Sequence, residues 1–228
     1  MTISASACEL FRRDCAAVWD SLRRHPFIRE LAAGTLPPEK FRFFLEQNLM
    51  YLPEYARVMA VGAATSEDVS LTRYYSAALA HVVETEIPEN EELLDRVLAL
   101  GAADRGGRAP MAPANLAYTS FLLATAFRYG PAEIMAAITP CTWSYGDIAA
   151  SLGESSDHPL YAEWIAFYTS PAYTGPMLEM NDRLNALAAD AGEAMLGRLS
   201  DLFRTSVRLE WGFWQMAYRC EQWPDLTP

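Results

Sequence analysis

Cys141 carries a side chain that can act as a nucleophile, and its spacing places it on the inner face of a helix. After Gly130, mostly apolar residues recur at steps of three or four, which marks one helical face: Ile134, Ile138, Cys141, Tyr145, Ile148 and Leu152. Pro140 directly precedes the cysteine and is expected to bend the helix beside the thiol, because proline lacks a backbone donor. The alternative interpretation is a small core cysteine near a kink.

Glu210 is a carboxyl group within an otherwise apolar stripe. The last predicted helix carries that stripe, which consists of Phe203, Val207, Glu210, Trp214 and Ala217. Burial disfavours the carboxylate and raises its pKa, so an unpaired Glu210 becomes a proton donor nearer neutral pH. The alternative is a structural salt bridge, for instance to Arg208 or to an arginine elsewhere.

Asn48 places an amide in the middle of a third stripe, formed by Phe41, Phe44, Asn48, Tyr51 and Tyr55. A buried amide needs hydrogen-bond partners, and a bond to the backbone is the alternative to a role in ligand binding. The aromatic residues beside the three polar groups include Tyr51, Tyr145 and Phe213. If the three faces meet, tyrosine rings can stack on a flat heterocycle, while Asn48 and Glu210 fix its edge and Cys141 attacks it.

The elements that position these groups are helices, because apolar residues recur at helical spacing almost throughout and alternating, strand-like runs are missing. We predict an all-α fold, with a single domain over residues 1–228 built as a bundle of about eight helices. The predicted ranges are 5–24, 38–60, 67–101, 113–129, 131–152, 158–169, 176–192 and 195–219. Pro53 and Pro88 fall inside two of these ranges and are expected to kink or interrupt them.

The composition argues against several classes of partner. Eighteen Lys and Arg against 29 Asp and Glu give a net charge of −11, which disfavours nucleic acids and anionic lipid surfaces. The sequence has no run of apolar residues long enough to span a membrane and no apolar signal core, so we predict a cytoplasmic protein. The four cysteines lack zinc-site spacing and the chain has three histidines, so we predict no metal and no cofactor.

Several short motifs follow one another in a specific order along the chain. They are His25-Pro26-Phe27, Gly34-Thr35-Leu36-Pro37, Phe41 to Gln47, Ala117-Tyr118-Thr119, Pro140 to Tyr145, His158 to Tyr161 with Trp164-Ile165, and Phe213-Trp214 with Ala217 to Arg219. Through these motifs the sequence resembles the TenA/thiaminase II family over almost its whole length. The resemblance implies the haem-oxygenase-like helical fold of that family.

The same resemblance implies a function and a set of site residues. It implies a hydrolase that acts on thiamin or thiamin-derived aminopyrimidines and forms 4-amino-5-hydroxymethyl-2-methylpyrimidine for thiamin salvage. Cys141 is then the nucleophile and Glu210 the acid. The family's pocket aromatics fall on Tyr51, Tyr118, Tyr145, Tyr168 and Phe213. Members of the family are typically homotetramers.

The sequence departs from the family pattern at Asn48. The family usually has an aspartate there, which binds the pyrimidine. Asparagine keeps the shape and hydrogen-bonding reach of aspartate but has no charge and cannot serve as a base. The alternative function is therefore a pyrimidine-binding protein of this family with an altered substrate or little hydrolysis.

Other chemistries of the same fold class find less support in the sequence. Haem degradation or a dimetal oxidase needs a haem-ligating histidine or several facing Glu and His ligands. His25 and His158 lie in His-Pro pairs and His81 lies within a predicted helix, so we predict structural roles for all three. Transcriptional regulation is disfavoured by the acidic balance and by the lack of a DNA-binding motif.

Overall fold

The structure, a computed structural model, describes residues 6–100, 110–153 and 156–224. Over these ranges every regular element is helical, which confirms the all-α prediction. The helices are α1 (Ala7–Asp14), α2 (Ala16–Arg23), α3 (Pro26–Ala32), α4 (Pro38–Thr65), α5 (Val69–His81), α6 (Ile87–Ala99), α7 (Pro113–Arg128), α8 (Pro131–Ser151), α9 (Pro159–Thr169), α10 (Pro171–Ala189) and α11 (Glu193–Arg219). A π-helical segment, Val82–Glu86, joins α5 to α6. None of the described helices is both long and apolar enough to cross a membrane.

Most of the predicted helices match the structure at their centres and differ at some of their ends. The predicted continuous helix 67–101 is instead divided into α5 and α6 by the π-helical segment. The predicted helix 5–24 is divided into α1 and α2, and the short α3 has no counterpart in the prediction. α3 forms because His25 caps it, with Nδ1 accepting a hydrogen bond from the Phe27 backbone N–H at 3.2 Å. α10 begins earlier than predicted because the Ser170 hydroxyl caps it by accepting from the Tyr173 backbone N–H at 3.3 Å.

Prolines inside the predicted helices have different effects. α4 continues through Pro53 and α8 continues through Pro140, so neither proline interrupts its helix. At Pro88, by contrast, the predicted kink or interruption corresponds to a change in the helix type. The π-helical segment ends at Glu86, and α6 begins with Pro88 in its first turn, where a missing N–H costs little.

Aromatic contacts hold together α4, α8 and α11, the three helices that carry the candidate polar groups. α8 packs along both α10 and α11, while α4 packs against α5, α6 and α7. The ring of Phe44 in α4 stacks on Trp214 in α11, with centroids 5.2 Å apart. Tyr145 in α8 lies 5.0 Å from the same indole. The three predicted inward faces therefore meet in one core.

Gln47 fixes the start of α7 against α4. Its side-chain amide donates to the Pro110 carbonyl at 3.0 Å, and its Oε1 accepts from the Ala112 backbone N–H at 2.9 Å. Asn115 in turn donates to the Gln47 backbone carbonyl at 2.8 Å. These bonds fix the start of α7 against α4, so α7 enters the core at a defined position and carries Tyr118 with it.

Substituting Gly62 by alanine tests the close packing of α4 on α5. A Cβ at Gly62 would lie 2.7 Å from the Tyr75 ring. The ring has no room to yield, because Tyr75 is fully buried and its hydroxyl donates to the Pro131 carbonyl at 2.7 Å. We expect Gly62→Ala to lower the free energy of unfolding by about 1–3 kcal/mol in urea denaturation, as overpacking does.

Gly197→Ala in α11 is the matched control. A Cβ there meets nothing within 4 Å, so the variant should be neutral or gain up to about 1 kcal/mol from helix propensity. Equal effects of the two substitutions would contradict the packing of Gly62 against Tyr75.

Candidate active site

Side chains from five segments surround a narrow cavity beside Cys141. α4 contributes Asn48, Tyr51, Leu52 and Tyr55, α8 contributes Cys141, Thr142 and Tyr145, and Glu86, Tyr168 and Tyr173 come from the π-helical segment, α9 and α10. The free space is about 20 Å³, which is about enough for one water molecule. A heterocycle therefore enters this site only when surrounding side chains move.

Five of the eight residues predicted for the site line this cavity: Asn48, Tyr51, Cys141, Tyr145 and Tyr168. The rings of Tyr118 and Phe213 lie behind the cavity wall. They pack on Tyr51 with centroid distances of 5.2 and 5.9 Å. Glu210 also lies outside the lining, close enough to Cys141 for its charge to act on the thiol. The eight predicted residues therefore lie close together in the fold, five of them at the cavity and three outside its lining.

Glu210 lies in a dry part of the core. The residue is 1% exposed, and it forms no ion pair with any residue that the structure describes, the exposed Arg208 included. Burial raises its pKa to about 8, and the nearby Tyr118 hydroxyl opposes this rise. Glu210 therefore holds its proton at neutral pH and can donate it.

Burial also keeps the Cys141 thiol neutral in the resting site. Loss of solvent raises the pKa of Cys141 well above its ordinary value, and the charge of Glu210 adds to the rise. The Tyr51 hydroxyl opposes it, because it favours the thiolate by hydrogen bonding. In the resting site this buried hydroxyl makes no hydrogen bond of ordinary geometry with a described residue, so its proton is available to a nearby thiolate. Tyr51 is therefore placed to stabilise a thiolate once one forms.

Asn48 begins a chain of side-chain amides that runs from α4 to the π-helical segment. Its Nδ2 donates to Oδ1 of Asn90 in α6 at 3.0 Å. Asn90 donates through its own Nδ2 to the Glu86 backbone carbonyl at 2.8 Å. Asn48 is thus connected to the Glu86 backbone through Asn90. The chain uses Asn48 as a donor, a role that an ionised aspartate cannot fill.

Tyr55 and Tyr173 form a hydrogen-bonded wall on one side of the cavity. The Tyr55 hydroxyl lies 2.9 Å from Oγ1 of Thr142, and the Tyr173 hydroxyl donates to the Thr142 carbonyl at 3.0 Å. Both bonds converge on the residue that directly follows Cys141. The wall therefore ties α4 and α10 to the helix that carries the thiol.

Glu86 is a site residue that sequence reasoning misses. Its side chain is 16% exposed, and burial raises its pKa to about 7, with a smaller contribution from the charge of Glu89. The predicted continuous helix 67–101 hides this residue, because a π-helical turn contains an extra residue and changes which side chains face inward. The available signal is Pro88, which marks a change in backbone hydrogen bonding nearby.

The three histidines have identifiable surroundings. His25 lies with Nε2 3.0 Å from the side-chain amide of Gln215, and His158 occupies the capping position of α9. Nε2 of His81 lies 3.8 Å from Oε1 of Glu86. Within the described ranges, no group of three or more His, Cys, Asp and Glu side chains is arranged to hold a metal ion.

Comparison with known proteins adds a family to this geometry. A model described as the TENA/THI-4/PQQC family matches residues 12–220 of the chain. An aminopyrimidine aminohydrolase of Halalkalibacterium halodurans is 33% identical over 209 residues, which are 90% of this chain and 92% of that relative.

Solved structures share the fold. The TenA homologue from P. horikoshii OT3 is 29% identical, with a TM-score of 0.83 over 94% of this chain and 99% of that one. A domain of unknown function with a haem-oxygenase-like fold, from Shewanella denitrificans, has a TM-score of 0.66 over 96% of this chain and 94% of that one. At 16% identity this second likeness concerns the fold alone. The predicted haem-oxygenase-like fold is confirmed.

Replacing Asn48 by aspartate tests the amide chain. The carboxylate has no N–H for Asn90, so two oxygens face each other unless the Asn90 amide turns and gives up its bond to Glu86. We expect Asn48→Asp to lower the free energy of unfolding at pH 7 by about 1–3 kcal/mol, the usual cost of an unsatisfied buried polar group. Urea denaturation measures the change.

Asn185→Asp is the control for this substitution. Asn185 accepts a hydrogen bond from the Cys8 backbone N–H at 2.9 Å, which an aspartate also accepts. Its effect should stay within about 0.5 kcal/mol. If Asn48→Asp were as mild as this control, the amide chain would not stabilise the fold as described.

Proposed function

The chain belongs to the TENA/THI-4/PQQC family, and we propose that it is a hydrolase of the thiaminase II type. It cleaves the exocyclic C–N bond of thiamin or of a thiamin-derived aminopyrimidine and forms 4-amino-5-hydroxymethyl-2-methylpyrimidine for thiamin salvage. The name of its relative from H. halodurans supports the substrate class. The observation that carries the proposal is a neutral buried acid, Glu210, near a thiol, Cys141, that faces a tyrosine-lined cavity.

Glu210 starts the proposed reaction as an acid. Because burial holds its proton at neutral pH, it donates a hydrogen bond and then the proton to a ring nitrogen of the pyrimidine, which makes the ring accept electrons more readily. The resulting carboxylate then takes the proton of the nearby Cys141 thiol. The thiolate thus forms only when the substrate is bound, with the Tyr51 hydroxyl as its hydrogen-bond donor.

Cys141 then adds to a ring carbon and forms a C–S bond. The nitrogen on the exocyclic methylene leaves with the C–N electron pair, as thiazole from thiamin or as ammonia from an aminomethylpyrimidine. The oxygen of a water molecule bonds to the methylene and its proton is released. The thiolate departs and the ring regains its aromaticity. The ring nitrogen then gives its proton back through Glu210 to the Cys141 thiolate, so that the resting site is restored and one water is consumed for each C–N bond broken. The covalent adduct divides one difficult displacement into easier steps.

The tyrosines orient the ring. Tyr51, Tyr145 and Tyr168 line the cavity, so their rings can contact a flat heterocycle and their hydroxyls can hydrogen-bond to its edge. Tyr118 and Phe213 support Tyr51 from behind. In this proposal Asn48 binds the edge of the pyrimidine through the hydrogen-bonding groups of its side chain that are not used in the bond to Asn90.

We extend the proposal to the organisation of the protein. The chain forms a single domain over residues 1–228 and acts in the cytoplasm as a homotetramer. Support comes from the family match, which spans most of the chain, and from exposed large apolar side chains such as Phe127, which is 77% exposed and suits an interface between subunits. Sedimentation equilibrium measures the assembled mass directly, and a monomer at micromolar concentration would exclude the tetramer.

Two substitutions test the residue assignments. Cys141→Ser should lower kcat/KM for thiamin and for 4-amino-5-aminomethyl-2-methylpyrimidine by at least about a thousandfold, because the nucleophile is lost. Glu210→Gln keeps the shape but cannot donate the same proton, and should lose about a hundred- to ten-thousandfold. Steady-state hydrolysis of both substrates measures these changes.

Cys15→Ser is the matched control for Cys141→Ser. The Cys15 thiol is buried away from the cavity and bonds to the Phe11 carbonyl at 3.2 Å, as a serine hydroxyl also can. This variant should keep wild-type turnover. Full activity of Cys141→Ser would remove the nucleophile assignment. Pyrimidine binding without turnover by the wild type would favour the alternative of a binding protein, which Asn48 motivates.

A further inference from the structure

A second cavity lies beyond the wall of Tyr55, Thr142 and Tyr173. It has a volume of about 170 Å³, and those three residues and Glu86 line both this cavity and the one beside Cys141. The rest of its lining is mostly apolar and includes Met59, Val82 and Met180. Glu86 therefore lies at the junction of the two spaces.

Among the described residues that line these cavities, no permanently charged cation faces Glu86. Burial lowers the pKa of His81, so the imidazole 3.8 Å from the Glu86 carboxylate is neutral at neutral pH. Of the described residues that line the two cavities, none is a lysine or an arginine. The other acid of the larger cavity, Glu179, already pairs with Arg183 at 2.7 Å. A carboxylate in such surroundings favours a ligand that brings its own positive charge.

We infer that Glu86 binds the ammonium group of an aminomethylpyrimidine, and that the second cavity receives the released ammonia. This inference rests on the proposed function and assigns Glu86 as the residue that recognises the group carried by the exocyclic methylene. In the net reaction the ammonium nitrogen leaves as ammonia with the C–N electron pair, water supplies the hydroxyl, and the proton from water converts ammonia to ammonium.

The number of donors separates the two substrates. An ammonium has three N–H groups, which form charge-assisted hydrogen bonds with a carboxylate. The thiazolium ring of thiamin carries a positive charge but has no N–H, so Glu86 attracts it without a hydrogen bond. Tyr55 and Tyr173 also offer ring faces to a cation at the junction. Glu86 therefore selects for the ammonium by direct hydrogen bonding.

The experiment measures binding in a Cys141→Ser background, where turnover is removed. Calorimetric titration gives the Kd of 4-amino-5-aminomethyl-2-methylpyrimidine and that of the neutral product, 4-amino-5-hydroxymethyl-2-methylpyrimidine. Adding Glu86→Gln should raise the Kd of the aminomethyl ligand by about ten- to a hundredfold, because the loss of a hydrogen bond to a charged group has an effect of this size. The Kd of the hydroxymethyl ligand should change by less than about threefold, because this ligand is neutral and forms no charge-assisted hydrogen bond with Glu86.

Glu84→Gln is the control, because it makes the same chemical change on the same π-helical segment at an exposed position. It should leave both affinities unchanged. Equal weakening of both ligands by Glu86→Gln, or no weakening of either, would overturn the assignment. If Glu86→Gln fails to fold, Glu86→Asp replaces it, and this variant should retain part of the preference for the aminomethyl ligand. A Glu86→Asp variant with no such preference would overturn it too.

The parent Cys141→Ser protein separates this inference from the proposed function. Binding of the hydroxymethyl ligand by the parent supports a pyrimidine site whatever Glu86 does. Failure of the parent to bind either ligand would overturn the proposed function, and the role of Glu86 with it.

Discussion

Glu210 is buried in the core formed by α4, α8 and α11, and this loss of solvent determines the chemistry that the site can perform. No cation among the described residues pairs with the carboxyl group, so its pKa rises to about 8 and it keeps its proton. The same loss of solvent keeps the Cys141 thiol protonated. Two neutral groups cost far less in a dry core than two charges would. In the proposed reaction, the charges therefore arise only when a pyrimidine ring is present to accept a proton.

The surrounding structure maintains this arrangement through aromatic and amide contacts. Stacking of Phe44 on Trp214 brings α4 to α11, and the Asn48–Asn90 bond connects α4 to α6. Asparagine rather than aspartate at position 48 also matters electrostatically. Glu86 and Glu210 already raise the pKa of the thiol, and a third carboxyl group beside the cavity would make a thiolate harder to form. In the proposed site, Glu86 of the π-helical segment supplies the negative charge at the cavity, so an amide at position 48 suits the site better than a further carboxyl group.

Periodicity in the sequence predicts much of the candidate site, because steps of three or four residues keep Cys141, Asn48 and Glu210 on inward faces. It does not predict that these faces meet, since that depends on aromatic contacts between distant helices. Tyr118 and Tyr168 are expected only from the family resemblance. Glu86 escapes both approaches, because the π-helical turn shifts the phase of the side chains within an apparently regular helix. Periodicity also misses the short helix α3. One cap and one proline stabilise this helix, and it is too short to show a repeating apolar pattern.

Titration of Glu210 tests whether burial keeps this carboxyl group protonated at neutral pH. Carboxyl carbon NMR of protein labelled at glutamate follows each side chain through pH, and the signal that disappears in Glu210→Gln identifies the residue. We predict that the titration midpoint of Glu210 lies near pH 8, because burial raises its pKa to about 8, and that Glu210 is protonated at neutral pH. A midpoint near the ordinary glutamate value of 4.5 would contradict this, because Glu210 would then be ionised at neutral pH and would have no proton to donate to the ring.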